Sequence, residues 1–386
     1  MEFDYLTWIL LGLPAAFVLG WLASRLDLRQ MRIEGRQAPK AYFRGLNFLL
    51  NEQQDQAIDA FIEAVQNDPD TSELHFALGN LFRRRGEYDR AVRVHQHLLS
   101  RGDLGRMDRE RAQHALALDF LKAGLLDRAE DALRRLEGTP FEAQARLALL
   151  AIYERSRDWP QAAAIAQRMH DAQQGDFSVR QAHYLCEQAL TLARNHDVPH
   201  ALALLEQAIA AAPQAPRARV ELARLQQLQG RHDAAVATVR EIAAATPGAL
   251  ALVAPLLVTA ASASGQTGAA RGLLEEGYAR TPSLDVLESL VALDRAAQID
   301  DEQARSRYVR HLEQEPSLVA AARWLAGEQL AHEQYHPQVQ RALDQAAKPL
   351  LRYRCAACGF EAQQHFWQCP GCQSWDSYPP QRVEEL

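Results

Sequence analysis

Four of the five cysteines crowd between positions 355 and 372 as two pairs, Cys355-x2-Cys358 and Cys369-x2-Cys372, with ten residues between the pairs. Two such knuckles bring four soft thiolates to the corners of a tetrahedron, the coordination of structural zinc and of iron in all-sulfur sites. Four protein ligands leave the ion no open position, which argues against a hydrolytic role and for a structural one, or a redox one if the ion is iron. Gly359 and Gly371 are expected to allow the tight turns that point backbone N–H groups at sulfur. Phe360, Phe366, Trp367 and Trp375 are expected to form a small core that depends on the metal. A pair of disulfides is the alternative, set aside because the topology argued below exposes these thiols to a reducing compartment.

Two other combinations spell chemistry without its context. His332-Glu333-Gln334-Tyr335-His336 reads H-E-x-x-H, in which two histidines on one helical face bind zinc and the glutamate acts as base. Pro337 follows at once and biases His336 away from helical angles, so a protease is not expected. His183 and Cys186 stand three apart, as a base and nucleophile do, but a buried thiol beside a histidine on the helix surface is the expected reading. No Gly-Lys-Ser/Thr occurs, so a Walker A phosphate loop is absent.

The elements that position the cysteines are read from the preceding stretch, about 38 to 346. Ala57 and Ala91 are 34 residues apart, as are Ala201 and Ala235, then Ala235 and Ala269. Pro213, Pro247, Pro282 and Pro316 follow at intervals of 34, 35 and 34. That period is the tetratricopeptide repeat's. In the first unit Gly45, Phe48, Ala57, Phe61, Ala64 and Pro69 fall at positions 8, 11, 20, 24, 27 and 32. Small residues at 8 and 20 let two helices approach, large ones at 11 and 24 fill the seam, and proline stops the second helix. Intervals of 38, 33 and 39 between Ala91, Ala129, Ala162 and Ala201 mark altered loops. About eight units and a closing helical segment are expected, with an unrelated helical bundle as the alternative.

Such an array offers a concave face made by the first helix of each hairpin. On the second and third units that face reads Phe76, Asn80, Arg83, Arg84, Arg111, His114 and Lys122, a candidate basic groove for an acidic peptide. A solvated arginine-rich surface is the plainer alternative.

Residues Tyr5 to Ala23 carry no charge over nineteen positions, which is about 28 Å of helix and spans a bilayer. Trp8 and Trp21 lie near its two ends. An acidic leader and the lack of an A-x-A site argue against a cleaved signal peptide. Arg25, Arg29, Arg32 and Arg36 follow at helical spacing as a juxtamembrane face for anionic headgroups, and the positive-inside rule places the remaining chain in the cytoplasm. The expected order is therefore a span within 1–24 (about 5–23), a basic helix at 25–37, repeats over 38–346 and a metal ribbon at 350–380.

Of 386 residues, 48% are hydrophobic, which excludes a largely disordered chain, and the net charge of -7 speaks against a general nucleic-acid binder. The ribbon is similar to the zinc finger of RadA-type DNA repair proteins, but without a phosphate loop that likeness is local.

The order of anchor, repeats and a terminal C-x2-C-G-F and C-P-G-C pair resembles the LapB/YciM family of lipopolysaccharide assembly proteins of Gram-negative bacteria, over the full chain. The resemblance implies an all-α tetratricopeptide solenoid with one transmembrane helix and a small rubredoxin-like zinc ribbon. It implies a non-enzymatic inner-membrane adaptor that presents the lipid A deacetylase LpxC to the membrane protease FtsH and so lowers lipopolysaccharide output. Lipopolysaccharide transport or sensor membrane proteins are further implied partners. The family's ligands carry over to Cys355, Cys358, Cys369 and Cys372. Zinc is favoured by the short spacer, with iron, as in rubredoxin, the alternative. A general scaffold for envelope assembly complexes is the competing function.

Overall fold

The computed structural model describes Phe17, Val18, Trp21 and residues 41–299, 301–328 and 333–386. The expected span at 5–23 lies outside the described residues but for Phe17, Val18 and Trp21, which are helical and exposed. The basic stretch with Arg25, Arg29, Arg32 and Arg36 lies wholly outside them. Among the described residues no helix is long and apolar enough to cross a membrane.

The chain forms two units that meet in sequence at Ser156 and Arg157. The first holds α1 (41–50), α2 (Gln54–Asn67), α3 (Ser72–Arg85), α4 (Tyr88–Ser100), α5 (Arg106–Lys122), α6 (Leu126–Arg134) and α7 (Glu142–Ser156). The second runs from α8 (Trp159–Asp171) through α9 (Ser178–Arg194), α10 (Val198–Ala211), α11 (Arg217–Leu228) and α12 (His232–Ala245). It continues with α13 (Ala254–Ser264), α14 (Thr267–Arg280), α15 (Leu284–Ala296), α16 (Asp301–Gln314), α17 (Leu318–Leu325) and α18 (His336–Ala347), then the ribbon. Both units are tandem helical hairpins of the tetratricopeptide kind.

Burial follows the period. Ala57, Ala91, Ala129, Ala162, Ala201 and Ala235 are all fully buried, including those at irregular intervals, because each lies where the second helix of a hairpin meets the first. The next marker is corrected by one residue. Ala269 is exposed and Ala270 is buried in its place, with fully buried Ala304 following 34 residues later. The shift matches the 35-residue step from Pro247 to Pro282, where a 3-10 turn over Pro247–Leu252 takes up the extra residue.

The second hairpin departs from the pattern in one chemical respect. Position 24, an aromatic in the first unit, is His95, fully buried with its Nδ1 against Asp119 of α5. Asp119 also accepts from Arg83, at 2.8 Å, so the buried carboxylate is paired on both sides. Gly79 makes room for this ring: a Cβ there would lie 2.5 Å from His95 Nε2. At Gly277 a Cβ would lie 2.3 Å from the Cδ2 methyl of Leu250, the free end of a side chain that borders a cavity of about 190 Å³. Gly79→Ala is therefore expected to cost about 1–3 kcal/mol by overpacking against a pinned ring, and Gly277→Ala clearly less. Thermal melting of the two variants beside the parent checks the order.

Candidate metal centre

The ribbon begins where β1 (Tyr353–Arg354) pairs antiparallel with β2 (Glu361–Ala362), Tyr353 opposite Ala362 and Arg354 opposite Glu361. This pairing closes the loop that carries Cys355 and Cys358. The bridge between Gln368 and Trp375 closes the second loop, with Cys369 and Cys372. In each knuckle the N–H of the first cysteine donates to the carbonyl five residues on, Cys355 N to Phe360 O and Cys369 N to Ser374 O, both at 2.9 Å.

The residue after each second cysteine is left-handed, with φ 76° at Gly359 and 61° at Gln373. The expectation for Gly359 holds, while Gly371 is not the turn residue of its knuckle; Gln373 is, in a conformation that costs a non-glycine residue some strain.

The four sulfur atoms lie within 4.8 Å of one another, with Cys355 to Cys372 at 3.8 Å and Cys358 to Cys369 at 3.7 Å. Metal–sulfur bonds of about 2.3 Å in a tetrahedron place sulfurs about 3.8 Å apart, so the donor set fits one ion held by all four thiolates. Cys355 and Cys369 are buried, and Cys358 and Cys372 are exposed. Ser377 Oγ lies 3.3 Å from Cys355 Sγ, and Ser374 Oγ 3.4 Å from Cys372 Sγ, within hydrogen-bonding reach of the thiolates that would hold the ion.

The aromatic residues divide differently from expectation. Tyr353, Tyr378 and Phe366 pack around Cys355 and Cys369, while Phe360 is exposed. Trp367 and Trp375 turn outward onto the repeats of the same unit. Trp375 stacks on His183 of α9, with ring centres 4.6 Å apart, and meets Trp159 and Tyr184 edge-on. Trp367 donates its indole N–H to Glu221 of α11 at 3.2 Å. Between the two indoles lies the guanidinium of Arg217, which donates to Glu187 and stands 5.4 Å from the Trp375 ring centre. Asp376 completes the contact, 2.7 Å from His183 Nε2.

His183 is thus not at the helix surface, as its sequence context suggested, but buried under the ribbon. Cys186 is buried as expected, and its desolvation pushes the thiol up to about 12, so it is no nucleophile at neutral pH. A signal for this seam did exist. His183 and Arg217 are 34 apart, and so are Glu187 and Glu221, so both pairs repeat one position on successive first helices. Small residues and prolines mark the repeat throughout the chain, whereas this charge recurs only on α9 and α11 beneath the ribbon. His336 of the H-E-x-x-H string begins α18 and contacts the carbonyl of Leu325, while His332 lies outside the described residues.

In the first unit the seven groove candidates are brought onto α3 and α5 but are unequally available. Phe76 is buried beneath Arg111, 4.1 Å from its guanidinium, which corrects its placement at the groove surface. Arg83 is held by Asp119 and by Asn80 Oδ1. His114 stacks on Phe141, and its burial holds the imidazole below its ordinary range. Arg84, Arg111 and Lys122 are exposed, with no ion-pair partner among the described residues.

Residues 353–379 match the family described as Rubredoxin metal binding domain, and residues 74–110 and 186–249 match tetratricopeptide repeat families. The chain is 31% identical to lipopolysaccharide assembly protein B of Escherichia coli K12, over 97% of this chain and 98% of that one. With the protein of the same name from Haemophilus influenzae the identity is 27%, over 98% of each. Among solved structures, Naa15/Naa10 bound to HypK-THB aligns with a TM-score of 0.45 at 14% identity, over 82% of this chain and 48% of that one.

Replacing Cys355 and Cys358 with serine is expected to release Trp367 and Trp375 from α9 and α11. The melting temperature of the second unit's helices should then fall, read by circular dichroism beside a Trp375→Ala chain, which costs on the order of 3 kcal/mol. His365 supplies a pH dependence. Burial pushes its imidazole down from 6.5 to about 4, so the folded form is neutral. Its contribution is full above pH 6.5 and is lost as pH falls from there to about 4, because only the unfolded chain takes up the proton in that window. The melting-temperature gap between the parent and His365→Gln should shrink on acidification from pH 7.5 to 5.

Proposed function

The chain belongs to the lipopolysaccharide assembly protein B family, and from that membership we propose that it serves lipopolysaccharide assembly as a non-enzymatic adaptor at the inner membrane. Its partners in this reading are the membrane protease FtsH and the lipid A deacetylase LpxC, which the adaptor delivers for proteolysis. The amino-terminal span holds it to the membrane, amino terminus outward, with Arg25, Arg29, Arg32 and Arg36 against anionic headgroups. Tethering two partners near one surface raises their mutual effective concentration without further contacts.

One observation carries the adaptor reading. The metal ribbon is seated on the inner helices of the repeats through Trp367, Trp375 and Asp376, so the metal's part is to shape a protein-binding body. Zinc bound by Cys355, Cys358, Cys369 and Cys372 supplies that rigidity without redox chemistry. In the first unit Asn80, Arg83, Arg84, Arg111, His114 and Lys122 form the groove for an acidic segment of a partner. Arg84, Arg111 and Lys122 meet it directly, and Phe76 supports Arg111 from below. Charge-assisted bonds to carboxylates suit these groups.

The test is the half-life of the deacetylase after depletion of this chain, with rescue by Cys355→Ser and by a chain lacking residues 1–24. A longer half-life that neither variant restores is expected. An unchanged half-life would replace proteolytic delivery with a general scaffold for envelope assembly.

A further inference from the structure

The sequence Pro-Ser-Leu occurs at 282–284 and again at 316–318, so Ser283 and Ser317 stand one repeat apart, each just before a first helix. The first amides of these helices have no partner within their own helix. Both are met by one short segment of the chain, Arg382 to Leu386. Glu384 accepts from Leu318 N at 2.6 Å, from Val319 N at 3.1 Å and from the Ser317 hydroxyl at 2.8 Å. Its neighbour Glu385 accepts from Leu284 N through one oxygen and from Arg382 N through the other. Two adjacent carboxylates therefore read two helix starts that the repeat places side by side, at the positive ends of α15 and α17.

The segment is held by its backbone as well as by its carboxylates. Val383 N and Glu384 N, in a single 3-10 turn over Val383–Glu385, donate to the carbonyls of Arg352 and Leu350. Arg382 forms a two-pronged pair with Asp285 at 2.8 and 2.9 Å and covers the Tyr353 ring at 4.1 Å. Leu386 is exposed. Beside the carboxylates remains a cavity of about 280 Å³, bordered by Arg280 and His311 as well as Glu315.

We propose that the starts of α15 and α17 form a docking site for an acidic peptide with two adjacent carboxylates, occupied in this chain by its own Glu384 and Glu385. The site is separate from the first unit's groove, and its ligand is a partner's segment of the type Arg-Val-Glu-Glu-Leu. A segment tethered next to its site competes at an effective concentration on the order of millimolar, so the partner gains access only when the tethered copy is displaced.

The probe is a fluorescein-labelled peptide of residues 379–386, titrated by anisotropy into the full metal-loaded chain and into a full chain carrying Arg382→Ala, Glu384→Gln and Glu385→Gln. Hydrogen exchange of residues 382–386 reports whether the altered segment leaves. We expect release, retained melting of the repeats, and peptide binding at least about tenfold tighter than to the parent chain. A peptide with both glutamates replaced by glutamine should not bind. Release without a gain in binding would overturn the proposal, as would equal binding of the glutamine peptide or unchanged exchange. Loss of the melting transition would also overturn it, by making the segment a structural part of the repeats rather than a ligand.

Discussion

Four thiolates within 4.8 Å of one another repel unless a cation stands between them, and most of the carboxyl-terminal architecture depends on meeting that demand. An ion at the centre would join two loops, one closed by strands only two residues long and the other by a single bridge, which could not hold each other alone. Once joined, the loops present Trp367, Trp375 and Asp376 on one side. The same closure sets the course of the backbone beyond Tyr378, which carries Arg382, Glu384 and Glu385 to the starts of α15 and α17.

The contact between ribbon and repeats is polar at its centre and aromatic at its edge. Arg217 is buried, and three features make its charge tolerable there: the Glu187 carboxylate and the faces of two indoles. His183 is held between a stacked indole and a carboxylate. A seam of this kind is intolerant of half measures, since removing one partner leaves another buried and unpaired. It gives the metal a reach beyond its ligands: the knuckle geometry decides whether α9 and α11 have their cover.

The first unit spends its unusual chemistry differently. Arg83 looked like a groove residue by position, yet it serves the buried pair of His95 and Asp119 as much as any partner. What it leaves exposed nearby are Arg84, Arg111 and Lys122, three cations on two neighbouring first helices. Arg111 gains rigidity from Phe76 beneath it, and a guanidinium held in place loses less entropy on meeting a carboxylate than one that is free.

The hairpin period and the metal ligands were legible in the sequence because each follows from a local rule. A helix pair can approach closely only where a side chain is small, so the alanines had to recur, and thiolates at x2 spacing can converge on one ion with no help from the rest of the chain. Even the slip from Ala269 to Ala270 is a local matter of one residue in a loop. What the tertiary structure alone decided is which residues meet across large separations. His183 and Asp376 are 193 positions apart, and Glu384 lies 66 beyond the amide that it caps. Nothing at either end announces the other, because a charge is written the same way whether it will face water or a buried partner. Folding makes that choice by desolvating some charges and leaving others wet, and desolvation belongs to the assembled surface rather than to any stretch of chain.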